Sequence, residues 1–289
     1  MAVDLHVHST CSDGTLTPVQ VVRAAASKGL SALALADHDT VAGVLPALRI
    51  AARHGLDLFP AVEVSAQHGR QELHILGFLI DLDEPELAGA LVRVREGRED
   101  RLERIVSRLN SLDVPITLEQ VREIAGEGSV GRPHVAAALV RMGAVSSPQQ
   151  AFQLYLRRGR PAYVDRYRLG VEDAIRLIRN AGGLPVLAHP GLGCPDGVIR
   201  HLVTLGLGGL EAYHVDHRAA QTQHYLRMAE SMDLIVTGGS DSHGPEGPAP
   251  VEIGQVYVPD SCADAVRDWG RANGRWPLPP LPDTEEEEP

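Results

Sequence analysis

Short apolar runs recur along this chain, separated by stretches whose apolar residues fall three and four positions apart. Residues 3–7, 32–36, 56–62 and 72–78 read as strands and residues 44–54 as a helix. Thr17-Pro18 predicts a helix start, with Thr17 as cap and Pro18 at the first position, where its missing N–H is no loss. Gly29 ends that helix. Strands spaced by short helices predict an α/β layout with mostly parallel pairing. The rhythm breaks after Asp81. Residues 84–160 read as helix after helix, including the charged segment LVRVREGREDRLERIVSRLNSL. Its charges mix in sign at helical spacing, which predicts chiefly a solvated helix face. The α/β rhythm returns with 171–180, then a strand at 184–188, a helix at 196–205 and a strand at 209–213. A helix at 217–231 and a strand at 234–237 follow, and residues 253–258 with a helix near 260–272 close the domain. The expected organisation is a discontinuous α/β domain (1–81 and 161–275), a helical insert (82–160), and a proline-rich acidic tail (276–289) expected to be disordered.

Composition narrows the class. The chain has 289 residues, 44% hydrophobic and 22% charged, enough to bury a sizeable core. Disorder, a collagen-like repeat and a membrane span are excluded as descriptions of the whole. A formal charge of −11 excludes a broadly basic surface, and with it long duplex nucleic acid as a partner. The start, MAVDLHVHST, has no basic segment followed by an apolar core, and Cys11, Cys194 and Cys262 form no disulfide framework. A cytoplasmic protein is expected.

The 13 histidines outnumber all phenylalanines, tyrosines and tryptophans together. His6 and His8 alternate within DLHVH, so a strand puts both on one face. Asp13, His38, Glu63, His74, His189, Asp241 and His243 lie in or just beyond other expected strands. In a barrel such ends converge on one face. Imidazoles with carboxylates suit zinc, manganese or iron, and a carboxylate can bridge two ions. One strand histidine needs only a hydrogen-bond partner. Nine such groups gathered together are costly to bury unless they bind metal.

The motifs DLHVHSTCSDG, ALADHDT, AVEVS, ELHILGF, LAHPG and GGSDSHG resemble those of the PHP (polymerase and histidinol phosphatase) family of metal-dependent phosphoesterases, over about residues 2–258. The inserted VGRPHVA segment makes the chain similar to the TrpH-like branch, which includes nucleoside 3′,5′-bisphosphate phosphatases and short-RNA 5′ exonucleases. The resemblance implies a distorted (β/α)7 barrel with an inserted helical cap and two or three divalent ions, manganese, zinc or iron. It places His6, His8 and Asp241 on a first ion, Glu63 bridging to a second with His74 and His189, and Asp13, His38 and His243 on a third. It also implies that Arg132 and His134 contact substrate phosphate. His217 would face the scissile phosphate as a catalytic group, and Asp241 would help to orient the nucleophile.

The residues themselves add to this. Arg132 offers a planar fork, and Pro133 in a first helical turn sets His134 and free backbone donors beside an anion. Arg157, Arg158, Arg160 and Arg166 cluster, so that one could hold a nucleotide's 5′ phosphate, with Tyr163 either packing or stacking on a base. Asp37 and Asp39 either orient His38 or serve the turn, and His214 is a weaker candidate than His217. The expected reaction is loss of the 3′ phosphate from nucleoside 3′,5′-bisphosphates, and cleavage of short 5′-phosphorylated RNA, by a hydroxide bridging two ions. The alternatives are a histidinol-phosphate or other small phosphomonoester phosphatase, a polymerase-associated module, and a non-catalytic metal-binding module.

Overall fold

A computed structural model of the chain describes residues 2–125, 130–165, 167–246 and 250–279. Strand β1 (Ala2–Val7) is buried from Val3 onward, as a parallel strand covered on both faces should be. Helix α1 (Pro18–Ser27) starts with a capping box: Gln20 N donates to Thr17 Oγ1 at 3.3 Å and Thr17 N to Gln20 Oε1 at 2.8 Å. Strand β2 (Leu30–Leu35) and helix α2 (Val44–His54) follow, and Gly55 ends α2 at φ 64°.

Strand β3 (Asp57–His68) runs well beyond the expected 56–62 because it forms a hairpin with β4 (Gln71–Phe78). The register sets Ser65 opposite His74, and Gly69 turns the chain at φ 58°. No helix intervenes, so β4 is antiparallel to β3, and it is antiparallel also to β6, the exception to parallel pairing. The helical segment comprises α3 (Pro85–Asn110), α4 (Leu118–Ala125), α5 (Arg132–Arg141) and α6 (Pro148–Ala151), continued by a wide turn at Phe152–Leu156. Then come β5 (Leu169–Gly170), α7 (Val171–Asn180), β6 (Leu184–Leu187), α8 (Asp196–Thr204), β7 (Gly209–His214), α9 (Ala219–Ser231), β8 (Ile235–Gly239) and α10 (Asp260–Ala272).

Seven strands run in the order β1-β2-β3-β4-β6-β7-β8, and the short β5 pairs β3 off this path. The ring closes where Asp241 N donates to His6 O at 2.9 Å and His8 N to Ser242 O at 3.0 Å. The expected seven-stranded barrel is present, and its seam carries three of the expected ligands. Helix α3 spans two apolar clusters. Leu87, Leu91 and Val94 pack with Val64, Ile75 and Ile175 of the barrel, whereas Leu102, Ile105 and Leu109 pack with Val121, Val135 and Leu139 of the insert. One 26-residue helix therefore fixes the insert over the barrel. Among the described residues, no helix is long and apolar enough to cross a membrane.

Candidate metal centre and substrate pocket

The C-terminal end of β1 brings His6 and His8 to the barrel mouth, both almost fully buried. Their Nε2 atoms are 3.2 Å apart and each is 3.4 Å from Glu63 Oε2. Asp241 Oδ1 lies 3.0 Å from His8 Nε2 and 3.6 Å from His6 Nε2. The other oxygen of Glu63 is 2.8 Å from His74 Nδ1 and 3.0 Å from His189 Nε2. On the third side, Asp13 approaches His243 Nε2 at 3.3 Å and His38 Nε2 at 3.8 Å. All nine residues singled out in the sequence thus meet around Glu63.

The grouping is more shared than expected. Donor atoms within 4.8 Å of one another come from His6, His8 and Asp241; from His38, Glu63 and His74; and from His8, Asp13, His38 and His243. His8 and His38 each join two groups. Spacing along a chain could not show this, because it depends on which ring nitrogen faces which neighbour.

The donor set fits divalent cations. His8 Nδ1, Asp13 Oδ1, His38 Nδ1 and Glu63 Oε2 are buried without a hydrogen-bond partner among the described residues. His38 Nδ1 and Glu63 Oε2 are only 2.8 Å apart, yet they are not aligned as donor and acceptor. Each orphaned polar atom costs about 1–3 kcal/mol in a dry interior, and a cation shared among them removes that cost. Without a cation the groups hold protons instead. Burial disfavours charge on Glu63, but His38, His74 and His6 outweigh it and keep the carboxyl well below the usual range. Burial likewise disfavours protonated His74 and His243, yet Glu63 and Glu72 lift the first to about 10, and Asp13 and Asp241 lift the second to about 9.

A ring of buried carboxylates aims this set. Glu211 on β7 is completely buried; it accepts from His6 Nδ1 at 3.0 Å and from His189 N at 2.6 Å. A carboxylate behind a histidine fixes the tautomer that turns the other nitrogen toward the metal. Asp4 accepts from Ser240 N and Gly254 N, at 2.8 and 2.7 Å, so it braces the segment before Asp241. Asp37 accepts from Ser9 N, Ser9 Oγ and Ser12 Oγ, which shapes the loop between His8 and Asp13. Asp39 Oδ1 accepts from Ser65 N at 2.8 Å. Asp37 and Asp39 thus serve the loops and do not bond the His38 ring. Asp39, His189 and Asp241 all adopt positive φ, at 53°, 27° and 54°, a strained backbone concentrated where donor atoms must be aimed.

One expectation changes. The charged segment is not solvated throughout. Arg98 Nη2 donates to Asp39 Oδ2 at 2.5 Å and to Ser65 Oγ at 2.8 Å, and Arg95 Nη1 donates to Asp39 O at 2.6 Å. Guanidinium groups from α3 thereby grip the turn that carries His38. His217 stands apart from the cluster: its Nε2 accepts from Gly191 N at 3.0 Å and its Nδ1 donates to Ala212 O at 2.9 Å. Both ring nitrogens are engaged by backbone, and burial pushes the ring toward the neutral form. Helix α9 begins at Ala219 and not at 217, after an extended Arg218 whose N–H donates to Gln221 Oε1 at 3.0 Å. The buried neighbour His214 is nearer the centre, with Nε2 3.4 Å from Asp241 Oδ2. His201 and His224 lie at Glu172 and Asp196, away from the cluster.

The cluster opens on a cavity of ≈ 400 Å³ whose far wall is Arg98, Arg101, Arg132 and His134. His134 Nδ1 accepts from Gly131 N at 3.1 Å, which leaves Nε2 as the ring's remaining polar atom. Arg132 is held by Leu156 O at 3.2 Å and lies 5.7 Å from the ring centroids of both Phe152 and Tyr163. Arg166, also a sequence candidate, falls outside the described residues. The sequence reading missed Glu211 and Arg98. A glutamate inside the apolar strand GLEAYH is a signal of a satisfied buried charge; Arg98 has none, being one of many arginines on α3.

A barrel mouth with a cation-binding cluster on one wall and guanidinium groups on the other defines a metal-dependent phosphoesterase. The PHP domain model matches residues 4–127. The 3′,5′-nucleoside bisphosphate phosphatase of Chromobacterium violaceum is 36% identical over 273 residues, covering 92% of this chain and 95% of that protein. This chain belongs to the PHP family. The 5′-3′ exoribonuclease Rnm of Escherichia coli (strain K12) is 40% identical over 256 residues, covering 84% of this chain and 85% of that protein. A putative metal-dependent phosphoesterase from Bifidobacterium adolescentis superposes with a TM-score of 0.78 at 32% identity, covering 92% of this chain and 96% of that one.

Proposed function

We propose that this enzyme removes the 3′ phosphate of nucleoside 3′,5′-bisphosphates and shortens 5′-phosphorylated oligoribonucleotides from their 5′ end. The observation that carries the reading is the pairing of the nine-residue cluster with Arg132 and His134 across one cavity. The activities printed for the Chromobacterium and Escherichia relatives support it. The two reactions are one chemistry. In both, water adds to phosphorus and the bond to the 3′ oxygen breaks. A bisphosphate yields a nucleoside 5′-phosphate and orthophosphate; an oligonucleotide yields a nucleoside 5′-phosphate and a shorter chain with a new 5′ phosphate.

The residues would hold three ions of manganese, zinc or iron: His6, His8 and Asp241 for the first, Glu63, His74 and His189 for the second, and Asp13, His38 and His243 for the third. His8 and His38 lie close enough to contribute to a second group each. Such ions supply Lewis acidity and generate a nucleophile from water at neutral pH. Glu211 keeps His6 and the His189 turn in place. Arg132 presents a fork to the non-bridging phosphoryl oxygens, where charge-assisted bonds are strongest. His134 Nε2 lies on the same wall, placed to bond the substrate phosphate. Asp241 orients the attacking water besides holding metal. His217 acts as a positioning residue: it ties Gly191 to Ala212 and so fixes the segment after His189. The substrate is small, and the enzyme works in the cytoplasm, where Cys11, Cys194 and Cys262 remain free thiols.

The test is phosphate release from adenosine 3′,5′-bisphosphate and from histidinol phosphate, and release of a nucleoside 5′-phosphate from a 5′-phosphorylated trinucleotide, each with manganese or zinc supplied. Preference for the bisphosphate and the trinucleotide is expected. Faster release from histidinol phosphate would replace this reading with that of a small phosphomonoester phosphatase.

A further inference from the structure

A separate cleft of ≈ 290 Å³ adjoins the metal cluster. Among the described residues its lining comes only from β4 and the turn after β6, and none of it from the insert. Four lining residues, Leu73, Ala188, Pro190 and Cys194, are buried and give the cleft an apolar wall. Gln71 Nε2 donates to Gly193 O at 2.8 Å and ties the hairpin to the turn. Leu192, on the short turn after the ligand His189, also lines the cleft and is 60% exposed. A single exposed leucine is ordinary on a protein surface; this one borders a cleft that opens on the cluster.

Glu72 and His74 line both this cleft and the cavity beneath the insert. His189 lines the cleft while its Nε2 faces Glu63 at 3.0 Å. The two spaces thus adjoin at His74. A phosphodiester held at the cluster has one nucleoside on each side of its phosphorus. The larger space, ≈ 400 Å³, takes the nucleotide to be released, and the cleft is left for the nucleoside on the other side. A third opening, of ≈ 550 Å³ beside His38, suits that nucleoside less. Its α3 edge carries Glu96, Glu99, Asp100 and Glu103, whereas its two arginines, Arg95 and Arg98, already bond Asp39. Those carboxylates repel the phosphates of the chain that follows.

We infer that the apolar cleft seats the base of the nucleotide on the 3′ side of the scissile phosphate, with Leu192 against the face of that base. The inference rests on the proposed exonuclease activity. Every base offers an apolar face, so the contact favours short RNA without choosing a sequence. A nucleoside bisphosphate has no such base and leaves the cleft empty.

Two dinucleotides test this, both with a 5′ phosphate on a first adenosine. One carries adenine on its second ribose; in the other that ribose is abasic. Adenosine 3′,5′-bisphosphate is the reference. With manganese supplied, kcat/KM is measured for the parent and for Leu192→Asp. In the parent the second base should raise kcat/KM about tenfold, mostly through KM. In Leu192→Asp that gain should shrink to about twofold or less, which measures the coupling between side chain and base. Leu192→Met should keep most of it. No gain from the base in the parent, or an equal gain in Leu192→Asp, overturns the inference. An equal loss on the bisphosphate also overturns it, because Leu192 would then serve the cluster. Activity on the bisphosphate but on neither dinucleotide overturns it too and leaves the phosphatase reading standing. Inactivity on all three substrates refutes the proposed activity by itself. Calorimetric binding of both dinucleotides to the manganese-loaded proteins then decides. Tighter binding of the base-bearing one by the parent, and not by Leu192→Asp, supports the cleft; equal affinities overturn it.

Discussion

Replacing Glu211 by glutamine changes shape very little and removes one negative charge from behind the metal cluster. The carboxylate accepts two hydrogen bonds, from His6 Nδ1 at 3.0 Å and from His189 N at 2.6 Å. A glutamine has one accepting oxygen, so one of these donors must face the amide nitrogen instead. If the His189 N–H is orphaned, the cost is about 1–3 kcal/mol and falls on a residue already at φ 27°. If His6 Nδ1 is orphaned, nothing holds the tautomer that turns Nε2 toward Asp241 and Glu63. Loss of such a supporting partner typically weakens metal binding about 10–100-fold, equivalent to roughly 1.4–2.7 kcal/mol. Manganese or zinc affinity is read by titrating metal-free protein against a competing chelator dye, and near-ultraviolet circular dichroism confirms the fold. The expected result is a 10–100-fold weaker metal constant, with turnover largely regained at saturating metal. If Glu211→Gln and Glu211→Ala both bind metal as tightly as the parent, the carboxylate does not orient the ligands and the reasoning fails.

Arg132→Ala should lower kcat/KM about 10–100-fold, the worth of a charge-assisted bond, while metal content by atomic emission stays unchanged; loss of metal would show that the residue supports the cluster instead. Metal uptake should strengthen as pH rises: His74 near 10 and His243 near 9 are protonated in the metal-free protein at neutral pH, and binding must displace those protons. Each displaced proton changes the affinity up to about tenfold per pH unit, and a metal constant equal at pH 6.5 and 8.5 would contradict this. Arg98→Met leaves buried Asp39 without its guanidinium and should cost about 3–5 kcal/mol in urea unfolding; Asp39→Asn in the same chain should restore part of that, and full additivity would refute the coupling. Chelation of bound metal should lower stability by about 2.7 kcal/mol for a site loaded at a hundred times its dissociation constant, seen as a lower melting temperature; no shift would mean that the cluster binds no ion.

Much of the candidate site was legible because parallel strands deliver their C-terminal ends to one rim. His6 and His8 share a face by strand parity, and Asp13, His38, His189, Asp241 and His243 follow strand ends, so their convergence required only the barrel, whereas Glu63 lies inside β3. The β3–β4 hairpin was less legible. The apolar run seemed to end at 62, yet β3 continues through polar Ser65, Gln67 and His68 because β4 pairs with it throughout. The surroundings of His217 were less legible for a related reason: the carbonyl and amide groups that meet its ring come from Ala212 and the distant Gly191.

Local periodicity and residue chemistry are short-range properties, so the sequence by itself determined the α/β class, the helical insert, and the nine imidazole and carboxylate groups. Only the tertiary structure decided which groups share a centre, because His8 and His38 each present two nitrogens to different neighbours. Only packing between segments far apart in the chain could distinguish Arg98 from the other arginines on α3, set Glu211 behind His6, and bring Arg70 to the arginines that follow the insert. A charged residue looks alike in any solvated helix; its role comes from the partner that the fold carries to it.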